Sequence, residues 1–139
     1  MLLSRSEHTV AVAAVLGALA ILSGAFGGHG LRTILSPQDL QTYQTAVQYH
    51  MISTLALLGV GSLQGQWRQS LWLARAATGL LLGCLLFSGS LYSLTLLEAR
   101  FMGFVTPIGG IMLVGGWLCL AVAALTQDSL WTKPIFQVV

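Results

Sequence analysis

Charge is what this sequence has least of. Six Lys or Arg and four Asp or Glu make up 7% of 139 residues, while 55% are hydrophobic; an ordinary soluble domain carries about 25% charged residues. A water-soluble fold of this length would leave much of that apolar surface facing water, which lipid accepts without cost. The net charge of +2 is too small, and the basic residues too scattered, for a nucleic-acid surface. Cysteine is nearly absent too: Cys84 and Cys119 form no CxxC pair, which excludes a disulfide framework or a zinc knuckle and leaves both as small packing residues. No Gly-Lys-Ser or Gly-Lys-Thr closes a glycine loop, so the stretch GAFGGHGL at residues 24–31 is not a phosphate cradle. No nucleophile, base and acid come together anywhere in the pattern, so the chain is not expected to be an enzyme.

What is present is four apolar runs, at residues 9–27, 46–63, 76–97 and 105–125. Each approaches the roughly 20 residues that about 30 Å of hydrocarbon requires. Continuous runs rather than period-two alternation mean helices, because only helices and closed barrels satisfy the backbone in lipid. The expectation is an all-α membrane protein, a four-transmembrane-helix bundle forming a single integral membrane domain over residues 1–139. The first run also fits a cleaved signal peptide, with Arg5 before it and Ser23 and Ala25 near its end, although its length and small-residue stripe favour a retained span. Arg5, Arg68, Arg75 and Lys133 fall on one side and only Arg32 and Arg100 on the other, which places both termini in the cytoplasm. Trp67, Trp72 and Trp131 would anchor the inner interface, with Tyr43, Tyr49, Phe101 and Phe104 near the outer one,.

Helical spacing puts Ala13, Gly17, Ala20, Gly24 and Gly27 on one face of the first span. The third repeats the device with Ala76, Gly79, Gly83 and Ser90, and the fourth places Gly109 and Gly116 seven residues apart. Such stripes let helix backbones approach closely in lipid. GAFGGHGL then reads as the end of a stripe and a helix stop, its glycines free to take the positive φ of a C-terminal cap and to unwind the chain. Ser36-Pro37-Gln38-Asp39 is a helix start, with a serine cap and a first-turn proline. It opens an amphipathic stretch that leads into the second span.

The polar residues within the spans are unevenly placed. His50 and Ser53 on the second run, Ser88, Ser90 and Tyr92 on the third, and Thr106 before Pro107 on the fourth all fall in the outer half by depth. An unpaired hydroxyl in hydrocarbon costs a few kcal/mol, so these groups are expected to converge inside the bundle. His29 and His50 would both lie near the outer interface, at the mouth of such a cluster; two histidines without a third ligand make a thin metal or haem set, and no metal or cofactor is expected. Glu98 and Arg100 bracket the last short loop as a solvated pair or a snorkelling arginine.

GAFGGHGL, QTAVQYH, LFSGSLY and FVTPIGG, in this order along nearly the whole chain, resemble the signature segments of the small four-helix membrane proteins grouped as domain of unknown function 423. The resemblance implies the same fold and a bacterial inner-membrane location, and it brings no reaction. It also implies a histidine four residues after Tyr49, where this chain carries Ser53. Two function classes follow. One is a non-enzymatic accessory or interaction protein whose partners are the lipid bilayer and other membrane proteins or a larger membrane complex. The other is a small carrier or pore, or a lipid- or quinone-binding protein, using the outer polar cluster.

Overall fold

The computed structural model describes residue 3, residues 5–67 and residues 70–126. Arg68, Trp131 and Lys133, part of the topology and anchoring argument, lie outside the described residues. Four α-helices follow one another: α1 (Ser6–His29), α2 (Pro37–Gln66), α3 (Leu71–Leu96) and α4 (Val105–Thr126), the last entered through a 3-10 turn over Arg100–Phe104. All four are long and apolar enough to cross a membrane. Consecutive helices run antiparallel. Ser6, Gln66, Leu71 and Thr126 therefore mark one end of the bundle, here the basal end, and His29, Pro37, Leu96 and Val105 mark the distal end.

The helices outrun the apolar runs because a helix satisfies its own backbone beyond the hydrocarbon as well as within it. The 30 residues of α2 span about 45 Å, and its first turns set the exposed Gln38, Asp39, Gln41 and Gln44 at the distal end, level with the ends of α1 and α3. The amphipathic stretch is thus one continuous helix with the second span. Its start is capped as the sequence indicates: the Asp39 backbone N–H donates to Ser36 Oγ at 3.1 Å, and the Ser36 hydroxyl donates to the Asp39 carboxylate at 2.6 Å.

The helix stop at GAFGGHGL works differently from the expectation. Gly24, Gly27 and Gly28 all lie inside α1, Gly30 is right-handed (φ −82°, ψ −36°), and no described glycine takes a positive φ. These glycines supply room instead. A Cβ on Gly27 would lie 2.6 Å from Cε1 of Tyr43, and one on Gly30 would lie 2.9 Å from Cε2 of Phe26, so the tyrosine of α2 and the helix's own phenylalanine each pack on bare backbone. The left-handed cap appears at the end of α3 on Glu98 (φ 53°), where glycine is the usual residue. Glu98 and Arg100 are both exposed, and the one ion pair among the described residues joins Arg5 to Glu7 at 2.9 Å.

Packing runs in sequence order: α1 lies on α2, α2 on α3 and α3 on α4, with the last contact the most extensive and none of similar size between α1 and α4. The α3–α4 contact is backbone on backbone. A Cβ on Gly79 would sit 3.0 Å from Cα of Gly116, one on Gly83 would sit 2.7 Å from the Leu113 nitrogen, and one on Gly109 would run into the Phe87 backbone. The α1 stripe meets side chains instead: Gly17 faces Thr54, Gly24 faces Val47, and Ala13 and Ala20 are fully buried. At the basal end α1 is tied to α2 by hydrogen bonds that the sequence does not announce. Ser6 Oγ donates to the Gly61 carbonyl at 2.8 Å, Thr9 Oγ1 to Gln64 Oε1 at 2.7 Å, and Gln64 Nε2 to the Leu3 carbonyl at 2.8 Å. The basal core of Leu57, Val60, Leu73, Ala76, Ala77 and Leu80 is closed to the surface.

Because overpacking a close contact costs up to about 3 kcal/mol, and more where backbone must move, Gly83→Val and Gly109→Val should each lower the unfolding free energy in detergent by roughly that amount. Gly115→Ala meets nothing within 4 Å and should be neutral or stabilising by up to about 1 kcal/mol. Equal effects at the three positions would refute the assignment of α3–α4 as the tight pair.

Candidate functional site

The outer polar residues separate onto two faces of α3. Residues four apart on a helix share a face, whereas residues two apart are about 200° apart. Cys84, Ser88 and Tyr92 accordingly turn toward α2 and α1, while Ser90 turns toward α4. Ser90 Oγ and Thr106 Oγ1 lie 2.7 Å apart, and the Thr106 hydroxyl also lies 3.3 Å from the Met102 carbonyl. That pair ties α3 to the start of α4 and takes no part in the other group. The single convergent cluster expected from depth is therefore two clusters, because depth was weighed without the helical phase.

On the α2 side, His50 Nδ1 and the Tyr92 hydroxyl are 3.3 Å apart, their rings edge to face with centroids 6.1 Å apart. Tyr92 also stacks at 5.1 Å on Tyr43, whose hydroxyl donates to the Ser23 carbonyl of α1 at 2.9 Å. Tyr43 is fully buried, so it is a link between α1, α2 and α3 rather than an interfacial anchor. Tyr49 is partly exposed against Phe87, and Phe101 and Phe104 are exposed on the 3-10 turn.

His50 lies farther inside the bundle than His29. α2 sets Thr54 against Gly17 and Val47 against Gly24, so His50 between them is level with about Ala20. His29, exposed at the end of α1, lies roughly 13 Å farther along. The two histidines share no site, and among the described residues no three His, Cys, Asp or Glu side chains gather to hold a metal. Ser53 is buried and donates to the Tyr49 carbonyl at 2.6 Å.

Around His50 the helices leave a crevice of about 150 Å³, lined by Leu16 and Leu19 of α1, His50 of α2, and Cys84, Leu85, Ser88, Gly89 and Tyr92 of α3. Leu19 and Leu85 are half exposed on the bundle's outer surface, so the crevice opens sideways into lipid. His50 and Ser88 are 7% and 2% exposed. Nevertheless His50 Nε2 and Ser88 Oγ have no hydrogen-bond partner, a deficit they share only with Thr54 Oγ1 among the buried side-chain atoms of the described residues. Sequence reasoning placed His50, Ser88 and Tyr92 here but missed Leu16, Leu19, Cys84, Leu85 and Gly89 of the lining. The four-residue spacing of Cys84, Ser88 and Tyr92 was the available signal. A second hollow, of about 420 Å³, lies at the distal end among Ser36, Asp39, Thr42, Thr95, Glu98 and Arg100; its charged residues are exposed and hold no buried unpartnered group.

A family model described as "Protein of unknown function (DUF423)" matches residues 23–110. The chain is 38% identical over 120 residues to the UPF0382 inner membrane protein YgdD of Escherichia coli K12, covering 86% of this chain and 91% of that protein. It is 41% identical over 115 residues to a UPF0382 membrane protein of Staphylococcus epidermidis (80% and 93% covered), and 40% identical over 113 residues to the UPF0382 membrane protein SH2409 of Staphylococcus haemolyticus (78% and 91% covered). No solved structure matches the chain.

The two serines of α3 should answer differently to removal. A double-mutant cycle of Ser90→Ala with Thr106→Val, read by unfolding in detergent, is expected to give a coupling of about 0.6 kcal/mol, the average for interhelical bonds in a membrane. Ser88→Ala removes a hydroxyl with no partner and should leave stability unchanged or slightly raised. Zero coupling between Ser90 and Thr106, or a loss of more than about 1 kcal/mol for Ser88→Ala, would contradict the geometry.

Proposed function

Since this chain belongs to the DUF423 family of membrane proteins, whose name assigns no activity, we propose its role from its own geometry: a non-enzymatic accessory protein of the inner membrane that works by lateral binding within the bilayer. The carrying observation is the direction in which the crevice opens. Its mouth lies between Leu19 and Leu85 on the lipid-facing surface, while basal to it Leu57, Val60, Leu73 and Leu80 fill the core with 0–1% exposure. A carrier or pore needs polar groups continuing toward the other side. Here, among the described residues, the buried polar side chains basal to His50 are Ser53 and Thr54, about one turn away, and below them the buried side chains are apolar until the Thr9–Gln64 pair at the rim.

Lateral binding needs no acid–base machinery. It fits the economy of the rest of the chain, whose polar side chains mostly bond to their own or a neighbouring helix. In this reading the partners are lipid and the membrane proteins beside which the bundle sits. Both termini face the cytoplasm, on the strength of Arg5 and Arg75 at the basal rim; Arg75 stacks over the Trp72 ring at 4.7 Å there.

Two measurements on the reconstituted protein test this. Vesicles carrying it should show proton leak and solute-induced swelling indistinguishable from protein-free vesicles, and reporter fusions at Arg32 and Val139 should report opposite sides. A saturable solute flux that falls in Ser88→Ala would overturn the lateral reading in favour of a carrier, and fusions reporting the same side would overturn the orientation.

A further inference from the structure

We propose that the crevice between α1 and α3 is a binding site for the small uncharged head of a bilayer-resident amphiphile, a head bearing a carbonyl or hydroxyl that hydrogen-bonds to His50 Nε2 and Ser88 Oγ. This rests on the lateral-binding reading above and names the ligand chemistry for it.

Four observations carry the assignment. First, two of the three unpartnered buried side-chain atoms among the described residues belong to residues that line this one crevice. Buried polar groups nearly always find partners, and those that do not call for an explanation such as a ligand they are placed to bind. Second, the pair offers complementary chemistry. A neutral imidazole whose Nδ1 is engaged with Tyr92 presents either a donor or an acceptor at Nε2, depending on tautomer, and a serine hydroxyl does both. Third, no Lys, Arg, Asp or Glu lines the crevice, so a phosphate or carboxylate would enter without a counter-charge in a medium where unpaired charge is most costly. That selects a neutral head. Fourth, about 150 Å³ falls short of the roughly 300–1,000 Å³ of a pocket that encloses a whole ligand. It suits a single ring or a glycerol-sized group whose tail stays outside, along Leu19 and Leu85. The two polar atoms have almost no accessible surface of their own, so engagement requires the rim side chains of Leu16 and Leu19 to give way as the head enters.

Gly89 supplies the decisive variant. It lines the crevice, and a Cβ built on it meets nothing within 4 Å, so a larger side chain there fills the hollow without disturbing the helix contacts. The experiment follows thermal unfolding of the purified protein in detergent with three added probes: a decyl-substituted benzoquinone, monoolein, and phosphatidylglycerol as the charged control. A saturable rise in melting temperature is expected with a neutral probe and not with phosphatidylglycerol. The stronger of the two neutral responses tells a quinone carbonyl from an acylglycerol head. Ser88→Ala and His50→Phe should each weaken the apparent affinity by about fivefold, the loss of one hydrogen bond. Gly89→Leu should abolish the response while melting no lower than the unsubstituted protein. Absence of any shift with both neutral probes, shifts that persist unchanged in Ser88→Ala and Gly89→Leu, or an equal response to phosphatidylglycerol would each overturn the assignment. Those failures would leave the lateral reading standing, because that reading falls only to solute flux in vesicles.

Discussion

The structure depends above all on how closely α3 and α4 approach. In lipid the hydrophobic effect gives helices no reason to associate, so contact energy comes from dispersion and must be gathered by bringing many atoms into range. Gly79, Gly83, Gly109 and Gly116 do this by leaving no Cβ at four points of the seam, so that the Gly79 backbone rests on Gly116 and Gly109 on Phe87. Once that seam is fixed, the helical phase of α3 is fixed as well. The face bearing Ser90 goes to α4, and the face bearing Cys84, Ser88 and Tyr92 is turned toward α2.

α1 is held by a softer version of the same device. Its stripe meets the side chains of Thr54, Val47 and Tyr43 rather than backbone, and its precision comes from hydrogen bonds near its two ends: Ser6 and Thr9 at the base, and the Ser23 carbonyl bound by Tyr43 near the distal end. Between those ties, across Leu16 and Leu19, α1 rests on α2 without closing onto α3. The crevice is the space left by that difference in packing. Most hydroxyls in the spans donate to a carbonyl one turn back, as Ser53, Thr78, Ser93 and Thr95 do, which satisfies them at little cost to the helix. Against that habit, the partnerless Ser88 and His50 stand out.

Helix number, order and packing stripes were legible because lipid imposes long apolar runs and small-residue spacing, both written directly in residue type. The capping of α2 was legible in Ser36, Pro37 and Asp39 for the same reason. The role of Gly27 and Gly30 was not, since glycine signals equally a left-handed turn and a close approach, and only the partner's position separates the two. The basal ties of Ser6, Thr9 and Gln64 depend on residues 55 or more apart in sequence, which no local pattern encodes. The candidate site was half legible: its polar members could be named, but grouping Ser88 with Ser90 ignored the 200° between them.

The position of His50 follows from the same geometry. Family members are expected to place a histidine at the position of Ser53, three residues later on α2. Three residues are 300°, which equals 60° in the opposite sense, and one helical step of about 4.5 Å. His50 and Ser53 are accordingly both buried on one stripe of α2. A histidine at 50 lies on the same buried face as position 53 and nearer the distal end, where Tyr92 meets its Nδ1 at 3.3 Å. What remains free at that place is one ring nitrogen, beside one serine hydroxyl and an opening that faces lipid.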